Sequence, residues 1–540
     1  MAWYDESVFY HIYPLGLCGC DHENRGKAEN HFDKINEWAR HAKDIGCNAI
    51  YIGPLFESVG HGYETTDYRM VDRRLGTNND FKQFVKNCHD MGVKVIVDGV
   101  FNHTGREFFA FKDIKQYREN SRYKDWYLDV NFWGNNEYND GFSYQNWGGY
   151  NLLAKLNLYN PEVRNYHFDT VKFWISEFDI DGIRLDAADV LDHNFMQELR
   201  GVTDGLKRDF WLMGEVIHGQ YSQWANPGEL HSVTNYELHK GIYSGHNDHN
   251  YFEIAHSIER LLGICGDTNL YTFVDNHDVA RIYSKINKKE HIYDIFTLLY
   301  TVPGIPSIYY GSEFCIEGNK EKHSDWNLRP NLQLSDFSKD NEIIKLITKL
   351  GNIRTKYKEL AYGSYKKLLL TNRQFAYARV LDGKAVITAL NNDDNPVHLD
   401  IDVPVSANTA VDLLGTANTS SISQQMDLLG PSGKEALYKE NEAQGLLNTL
   451  SGLLHSAKDK MLTNTNAEFE LGESKNILSR INDMVNEFVW FYGKNEAEAK
   501  MKKESSEPIK EEVKYINIKN GKISIDLPAN RQALIYVYNE

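Results

Sequence analysis

The chain has 540 residues, 13% of them aromatic, and it carries a formal net charge of −17 at pH 7. This negative charge excludes nucleic acids and anionic membrane surfaces as expected partners, because both would repel an acidic protein. The length suffices for about two to four domains, and the sequence has no apolar run of about eighteen residues that could span a membrane.

Six cysteines lie scattered along the chain, and their spacing matches no metal-ligand pattern. We expect them to be free, buried thiols. Residues 1–6 contain no basic region followed by an apolar run, so no signal peptide is expected and a cytoplasmic location is favoured.

Short apolar strands alternate with helices through residues 1–360. The predicted strands are residues 8–13, 49–52, 93–100, 182–185, 210–213, 232–235, 270–273 and 307–310. Apolar residues at helical spacing predict the intervening helices, which are residues 32–45, 80–91, 161–178, 192–209, 249–262, 290–300 and 341–357. Only a loop is predicted after the fifth strand. This alternation predicts an α/β fold, a parallel (β/α)₈ barrel formed by residues 1–103 and 158–360.

The alternation is interrupted between the third strand and the third helix, at residues 104–157. This segment is rich in aromatic residues, Asn and Gly, and it shows no helical period. We interpret it as an irregular subdomain inserted on the C-terminal face of the barrel. A disordered insert is the alternative, but so many Trp and Tyr side chains favour a folded one.

The pattern changes to a period of two after residue 361, which predicts an antiparallel β-domain formed by residues 361–414 and 513–540. Residues 415–512 interrupt it with two amphipathic helical patterns, at 446–461 and 477–489. We interpret them as a helical insertion. Its apolar stripes must be buried against each other or on a partner, so self-association through the insertion is one expectation.

Catalytic groups of a (β/α)₈ barrel lie at the C-terminal ends of its strands. Three carboxylates follow predicted strands here, namely Asp186, Glu215 and Asp278. A single Asp in this position can be a helix N-cap, and Arg184 with Asp186 could be a structural ion pair. Charged side chains at several strand ends together indicate a catalytic cavity instead. The residues expected to converge there are His103, Arg184, Asp186, Glu215, His277 and Asp278.

Paired carboxylates in a cleft suit the cleavage of glycosidic bonds, in which one carboxylate attacks the anomeric carbon while the other protonates the leaving oxygen. Arg184 is expected to lower the pKa of Asp186 and keep it ionised. Burial behind the apolar strand 210–213 is expected to raise the pKa of Glu215 and suit it to acid–base work. The sequence contains no Cys/His ligand cluster, phosphate-binding loop or serine elbow that would favour other chemistry.

At these residues the sequence resembles the α-amylase family of retaining glycoside hydrolases. Four segments are similar, in the same order, to the best-known motifs of that family: DGVFNH (98–103), GIRLDAAD (182–189), GEV (214–216) and FVDNHD (273–278). Residues 62–68 and 304–311 support the resemblance, which covers about residues 5–415 and 513–540.

The resemblance implies that Asp186 is the nucleophile, that Glu215 is the general acid/base and that Asp278 grips sugar hydroxyls. It implies that Asp98 supports the site rather than contacting substrate. Four further residues are implied to bind substrate, by orienting Asp186, by hydrogen bonding to the sugar or by stacking on it: Arg184, His103, His277 and Tyr63.

Residues 153–157 (LAKLN) are similar to a short motif of cyclomaltodextrinases, neopullulanases and maltogenic amylases. Those enzymes usually carry an N-terminal β-domain, which we do not expect here because the predicted barrel begins at once. Asp189 and Val190 stand where typical α-amylases have Lys-His, so a structural calcium is not indicated and no cofactor or metal is expected. Ala187, where α-1,6-specific relatives often have Val, favours α-1,4 bonds.

These observations predict a glycoside hydrolase that cleaves α-1,4-glucosidic bonds in maltodextrins or other α-glucans with retention of configuration. An α-glucan transglycosylase and an α-1,6-acting relative remain open alternatives, because the choice of acceptor depends on aglycone-side residues that the sequence does not locate. A non-catalytic scaffold, as in amino-acid transporter heavy chains, is disfavoured because the three carboxylates are retained. The expected partner is an oligo- or polysaccharide.

Overall fold

The computed structural model of the protein describes residues 2–322, 324–417 and 514–539. These residues belong to one compact unit. All but the first three residues of the predicted helical insertion lie outside the described residues, so the insertion and self-association through it stay predictions.

A sheet of eight parallel strands forms the centre of the described unit and confirms the predicted barrel. In chain order its strands are β1 (Phe9–Ile12), β2 (Ala49–Ile52), β3 (Lys94–Gly99), β4 (Gly182–Leu185), β5 (Trp211–Gly214), β6 (Ser232–Val233), β7 (Tyr271–Phe273) and β8 (Ile305–Tyr309). Hydrogen bonds join them in the order β6-β5-β4-β3-β2-β1-β8-β7. A parallel bridge between Thr234 and Tyr271 brings the two ends of the sheet together and closes the ring.

Helices surround this sheet at nearly the predicted positions. They are α1 (Phe32–Asp44), α2 (Asn78–Asp90), α3 (Pro161–Phe173), α4 (His193–Leu206), α5 (Tyr236–Asn247), α6 (Tyr251–Cys265), α7 (Ile292–Thr301) and α8 (Glu342–Lys356). Polar side chains accept a hydrogen bond from the first turn of several of them, namely Thr77, Asn160, Asp192, Asn235 and Asn341. Within the described ranges, none of the helices combines the length and the apolar character needed to cross a membrane.

Helix α5 was not predicted, because the sequence pattern indicated only one helix after β6. Its glycines, Gly241 and Gly245, lower helix propensity and obscure the pattern. They lie where α5 packs on α6, and a Cβ at Gly245 would stand 2.8 Å from Ile254 Cγ1. The close approach of the two helices therefore explains a helix that local propensity alone does not favour.

The segment between β3 and α3 is folded, but it is more regular than its sequence indicated. It contains a helix, Phe109–Tyr117, and a three-stranded antiparallel sheet of His103–Gly105, Asn146–Trp147 and Tyr150–Lys155. The prediction that this segment contains no helix was wrong for residues 109–117. The helix that they form buries Phe111 against the aromatic ring of Tyr144. Aromatic packing rather than aliphatic periodicity thus stabilises this subdomain.

Two antiparallel sheets follow the barrel and confirm the predicted β-structure. One sheet has six strands in the order Ser364–Leu370, Gln374–Leu381, Lys384–Asn391, Arg531–Tyr538, Thr409–Asp412 and Lys514–Ile516. The other has three strands in the order Val397–Asp402, Lys522–Leu527 and Ile518–Lys519. The strands Ser364–Leu370 and Thr409–Asp412 were missed, the first because it has no buried side chain and so lacks an alternating pattern. Tyr377 packs against the barrel and hydrogen bonds to Thr301 over 2.6 Å.

The barrel interior changes from apolar to polar along its axis. Phe9 and Trp211 belong to an apolar cluster inside the barrel, with their rings stacked 4.9 Å apart. Side chains two residues apart on a strand share a face. His11, Asp98 and Arg184 each come two residues after an inward-facing position, namely Phe9, Ile96 and Gly182, and therefore also point inward. The polar end is the C-terminal end of the strands, where the site lies.

Substitution of Gly245 by Val should lower the free energy of unfolding by about 1–3 kcal/mol, because the added methyl groups would meet Ile254 on α6. Gly263→Ala on α6 is the matched control, since a Cβ there meets no atom within 4 Å. That variant should keep or raise the stability by up to about 1 kcal/mol. Urea or thermal unfolding measures both. Equal stability of the two variants would contradict the packing explanation.

Candidate active site

The side chain of Arg184 connects three carboxylates at the C-terminal end of the barrel. Arg184 stands directly opposite Asp98 in the parallel register of β3 and β4. Its Nη1 donates to Asp98 Oδ1 and to Asp186 Oδ1, each over 2.8 Å, and its Nη2 lies 2.9 Å from Glu215 Oε2. One buried guanidinium therefore fixes carboxylates from three adjacent strand ends.

The chain turns sharply after Asp186. Ala187 has φ 46° and ψ 45°, a left-handed conformation that costs a non-glycine residue about 1–2 kcal/mol. In this conformation its backbone N–H donates to Glu215 Oε2 over 3.1 Å. The turn thus adds a second hydrogen bond that positions Glu215 beside Asp186.

Asp98 lies beneath the other carboxylates, and both of its carboxylate oxygens accept hydrogen bonds. In addition to Arg184, it accepts hydrogen bonds from Tyr51 Oη at 2.7 Å and Tyr63 Oη at 3.2 Å. Tyr63 Oη also contacts His277 Nε2. These contacts leave Asp98 buried, which agrees with the expectation that it supports the site.

Asp278 is paired with a separate set of groups, namely His277 and Arg329. His277 Nε2 lies 3.0 Å from its Oδ2, and Arg329 Nη2 donates to its Oδ1 over 3.1 Å. Arg329 also contacts Asp325 at 2.8 Å. Burial by itself would raise the pKa of Asp278, but His277 and then Arg329 lower it below its usual range. Asp278 is therefore ionised at neutral pH.

His103 begins the small antiparallel sheet of the inserted subdomain. Its Nε2 lies 3.2 Å from the backbone oxygen of Tyr63, and its Nδ1 lies 3.2 Å from Asn102 Nδ2. Burial lowers the pKa of His103 to about 3. The imidazole is thus neutral at neutral pH, which suits hydrogen bonding to a sugar hydroxyl rather than charge pairing.

Polar contacts, some of them through Asp98, connect all seven residues predicted to be catalytic or substrate-binding. These residues are Tyr63, His103, Arg184, Asp186, Glu215, His277 and Asp278. The carboxylates that follow the strand ends keep part of their side-chain surface accessible, 11% for Asp186, 12% for Glu215 and 32% for Asp278. Arg184 and Asp98, in contrast, are almost completely buried. A substrate entering this cleft would meet the carboxylates and not the side chains beneath them.

The pKa of Glu215 is raised, as expected, by burial and in spite of the opposing charge of Arg184. The expectation for Asp186 was wrong. Burial raises its pKa well above the usual value, and Glu215 and Asp98 raise it further, whereas Arg184 lowers it by less. The expectation failed because burial outweighs the favourable charge of Arg184, and the charges of Glu215 and Asp98 add to the effect of burial.

Two side chains that contact Asp278 or Glu215 were not predicted from the sequence, namely Arg329 and Tyr236. Arg329 lies in the loop after β8, where no local pattern marks it. Tyr236 lies 3.5 Å from Glu215 Oε1 through its hydroxyl, which also accepts a hydrogen bond from Asn276 at 3.1 Å. Because Tyr236 follows the end of β6, the strand-end rule applied to that strand would have found it.

Over residues 2–322, 324–417 and 514–539, no three His, Cys, Asp or Glu side chains are grouped so that they could hold a metal ion. All six cysteines are free, four of them buried and two half-buried.

Comparisons with known proteins agree with this geometry. The family described as "Alpha amylase, catalytic domain" matches residues 32–352. A cyclomaltodextrinase from Thermoanaerobacter pseudethanolicus is 30% identical over 421 residues, which are 72% of this chain and 71% of the relative. An intracellular maltogenic amylase from Bacillus subtilis is 27% identical over 70% of this chain and 63% of its own length. The solved debranching enzyme of Nostoc punctiforme superposes with a TM-score of 0.69 at 28% identity, covering 77% of this chain and 93% of that enzyme.

The fold and the carboxylate cluster at its strand ends define a (β/α)₈-barrel glycosidase. The chain belongs to the α-amylase family, and it is an α-amylase-type glycoside hydrolase.

Replacement of Asp98 by Asn should shift the acid limb of the kcat/KM pH profile to lower pH. Asp98 raises the pKa of Asp186, so its removal lowers that pKa and Asp186 stays ionised to a lower pH. The control is Asp72→Asn, which also removes a buried carboxylate paired with an arginine, Arg74 at 2.7 Å. The control should leave the acid limb in place. A shift of the Asp98→Asn limb to higher pH would contradict this electrostatic account.

Proposed function

We propose that the protein hydrolyses α-1,4-glucosidic bonds in maltodextrins by double displacement, with Asp186 as nucleophile and Glu215 as general acid/base. The observation that carries the proposal is the sharing of Arg184 by Asp98, Asp186 and Glu215. It brings two accessible carboxylates close to each other at one end of a barrel, as a retaining glycosidase requires.

In the first step, a carboxylate oxygen of Asp186 attacks the anomeric carbon. Glu215 gives its proton to the glycosidic oxygen as the bond between this oxygen and the anomeric carbon breaks. The products are a free sugar hydroxyl and a glycosyl ester on Asp186. Asp278 and the neutral His103 are available to hydrogen bond to the hydroxyls of the glucose that is cleaved.

In the second step, the ionised Glu215 takes a proton from water while the water oxygen bonds to the anomeric carbon. The ester bond to Asp186 breaks, and its carboxylate is regenerated. Two displacements on opposite faces give net retention of configuration.

Charge coupling between the two carboxylates favours the reactive state. The charge of Glu215 raises the pKa of Asp186, so a proton on Glu215 lowers that pKa in turn. A protonated Glu215 therefore promotes an ionised Asp186, which is the pair of protonation states that the first step needs. The N–H of Ala187 and the hydroxyl of Tyr236 both contact the carboxyl group of Glu215.

The relatives support oligosaccharides as substrates. The relative that is 30% identical is a cyclomaltodextrinase, and another relative is named a maltogenic amylase. A second candidate function is the cleavage of α-1,6 branches, which the likeness to the Nostoc punctiforme debranching enzyme favours. Transfer of the glycosyl group to a sugar instead of water would use the same two carboxylates.

We place the reaction inside the cell, because the Bacillus subtilis relative is named intracellular. We propose that no resident metal takes part, since the side chain of Val190 has no ligand atom where typical α-amylases have His. The partner is an α-glucan, and association of two chains through residues 415–512 is retained as a prediction.

Incubation with maltohexaose should yield only shorter maltodextrins, and Asp186→Asn should reduce kcat by about 10⁴-fold or more, because it removes the nucleophile. Chromatography of the products over time measures both. Product sizes separate cleavage at a chain end from internal cleavage.

Products longer than maltohexaose would indicate transfer. Turnover of an α-1,6-linked oligosaccharide in preference to maltohexaose would favour the second candidate. The proposal would be contradicted if wild-type protein cleaved neither substrate, or if Asp186→Asn retained wild-type activity.

A further inference from the structure

Exposed aromatic side chains are frequent in the subdomain between β3 and α3. Most aromatic rings in this subdomain pack on one another, but several extend into solvent, namely Phe109, Tyr117, Trp133, Tyr138, Trp147, Tyr150 and Tyr159. Isolated exposed aromatic residues need no explanation. Two of them, however, occupy neighbouring positions beside the cleft.

Trp147 and Tyr150 flank the tip of a β-hairpin. They stand directly opposite each other on its two strands, so their side chains share one face. Gly148 and Gly149 form the turn with φ values of 65° and 85°, and two-residue hairpin turns of this kind require positive φ at both positions. The Asn146 amide donates to Asn151 Oδ1 over 2.8 Å across the hairpin. The tip is thus a defined structure and not a loose loop.

The same sheet contains His103. The strand Tyr150–Lys155 pairs on one side with Asn146–Trp147 and on the other with His103–Gly105, where His103 lies opposite Lys155. The rings of His103 and Trp147 lie 5.9 Å apart. Trp147 therefore faces the same side as a predicted substrate-binding residue, at the wall of the cleft.

Exposure increases outward along this wall. His103 is buried, Trp147 is 37% exposed and Tyr150 is 65% exposed. Large aromatic faces kept partly accessible beside a cleft suit stacking on the apolar faces of sugar rings. Neither ring contacts a catalytic carboxylate, so neither is needed for the bond-breaking steps themselves.

We propose that Trp147 and Tyr150 form a platform on which glucose units remote from the cleaved bond stack, and that this platform sets the preference for longer α-glucan chains. The inference rests on the proposed function and adds to it the residues that recognise chain length. Binding energy from these further units raises kcat/KM more for long substrates than for substrates with too few glucose units to cover the platform.

The test compares kcat/KM for maltoheptaose and maltotriose in the wild type and in Trp147→Ala, Tyr150→Ala and the double variant. Trp133→Ala is the matched control, because Trp133 is a 99% exposed tryptophan of the same subdomain. We expect the ratio of the two kcat/KM values to fall about tenfold in Trp147→Ala and further in the double variant. Trp147→Phe, which keeps an aromatic face, should retain most of the ratio, and Trp133→Ala should leave it unchanged.

A ratio that changes less than about twofold in the double variant, or that falls equally in Trp133→Ala, would overturn the platform while leaving the proposed hydrolysis intact. A wild type that cleaves neither oligosaccharide would instead overturn the proposed function. In that case, calorimetric titration of maltoheptaose into wild type and the double variant still decides the inference: tighter binding to wild type supports it, and equal binding overturns it.

Discussion

A buried guanidinium surrounded by three carboxylates is the interaction on which the rest of this structure depends. A charge removed from water is stable only if partners compensate for its lost hydration, and removal of one partner typically costs about 3–5 kcal/mol. Arg184 finds its partners on β3, after β4 and after β5. The barrel must therefore close with these strand ends in register, since otherwise Arg184 or a carboxylate would be buried without a partner.

The same crowding makes the site reactive. Burial raises the pKa values of both Asp186 and Glu215, and the single charge of Arg184 opposes the rise without cancelling it. A proton shared within this group lowers its charge and can be passed to a leaving oxygen. Asp278, paired with His277 and Arg329, has a lowered pKa, and its charge raises the pKa of Glu215.

Much of this arrangement was predictable from the sequence, because the barrel imposes it. Once alternating strands and helices indicate a (β/α)₈ fold, all strand ends meet at one face, and Asp186, Glu215 and Asp278 must converge. The fold itself followed from short apolar strands that alternate with helices, a pattern that the local sequence shows without knowledge of long-range contacts. The catalytic role of each residue remains a prediction, because the structure shows which residues lie together and not the reaction that they catalyse.

The features that the sequence did not reveal depend on tertiary contacts. Arg329 reaches Asp278 from a loop, and no local pattern distinguishes it from other arginines. Helix α5 forms in spite of Gly241 and Gly245 because α6 packs closely on it. The wrong expectation for the pKa of Asp186 has a similar origin, since the sequence shows its neighbour Arg184 but not the burial of the carboxyl group or the nearby charges of Glu215 and Asp98.

The central claim, that Asp186 is the nucleophile of a retaining reaction, is tested most directly by trapping the intermediate. The protein would be incubated with a fluorinated α-maltosyl fluoride that forms the glycosyl ester quickly and hydrolyses slowly, then digested and analysed by mass spectrometry. The account predicts one added fluoromaltosyl group on the peptide that contains Asp186. A label on another residue, or release of the β-anomer with no label, would contradict it.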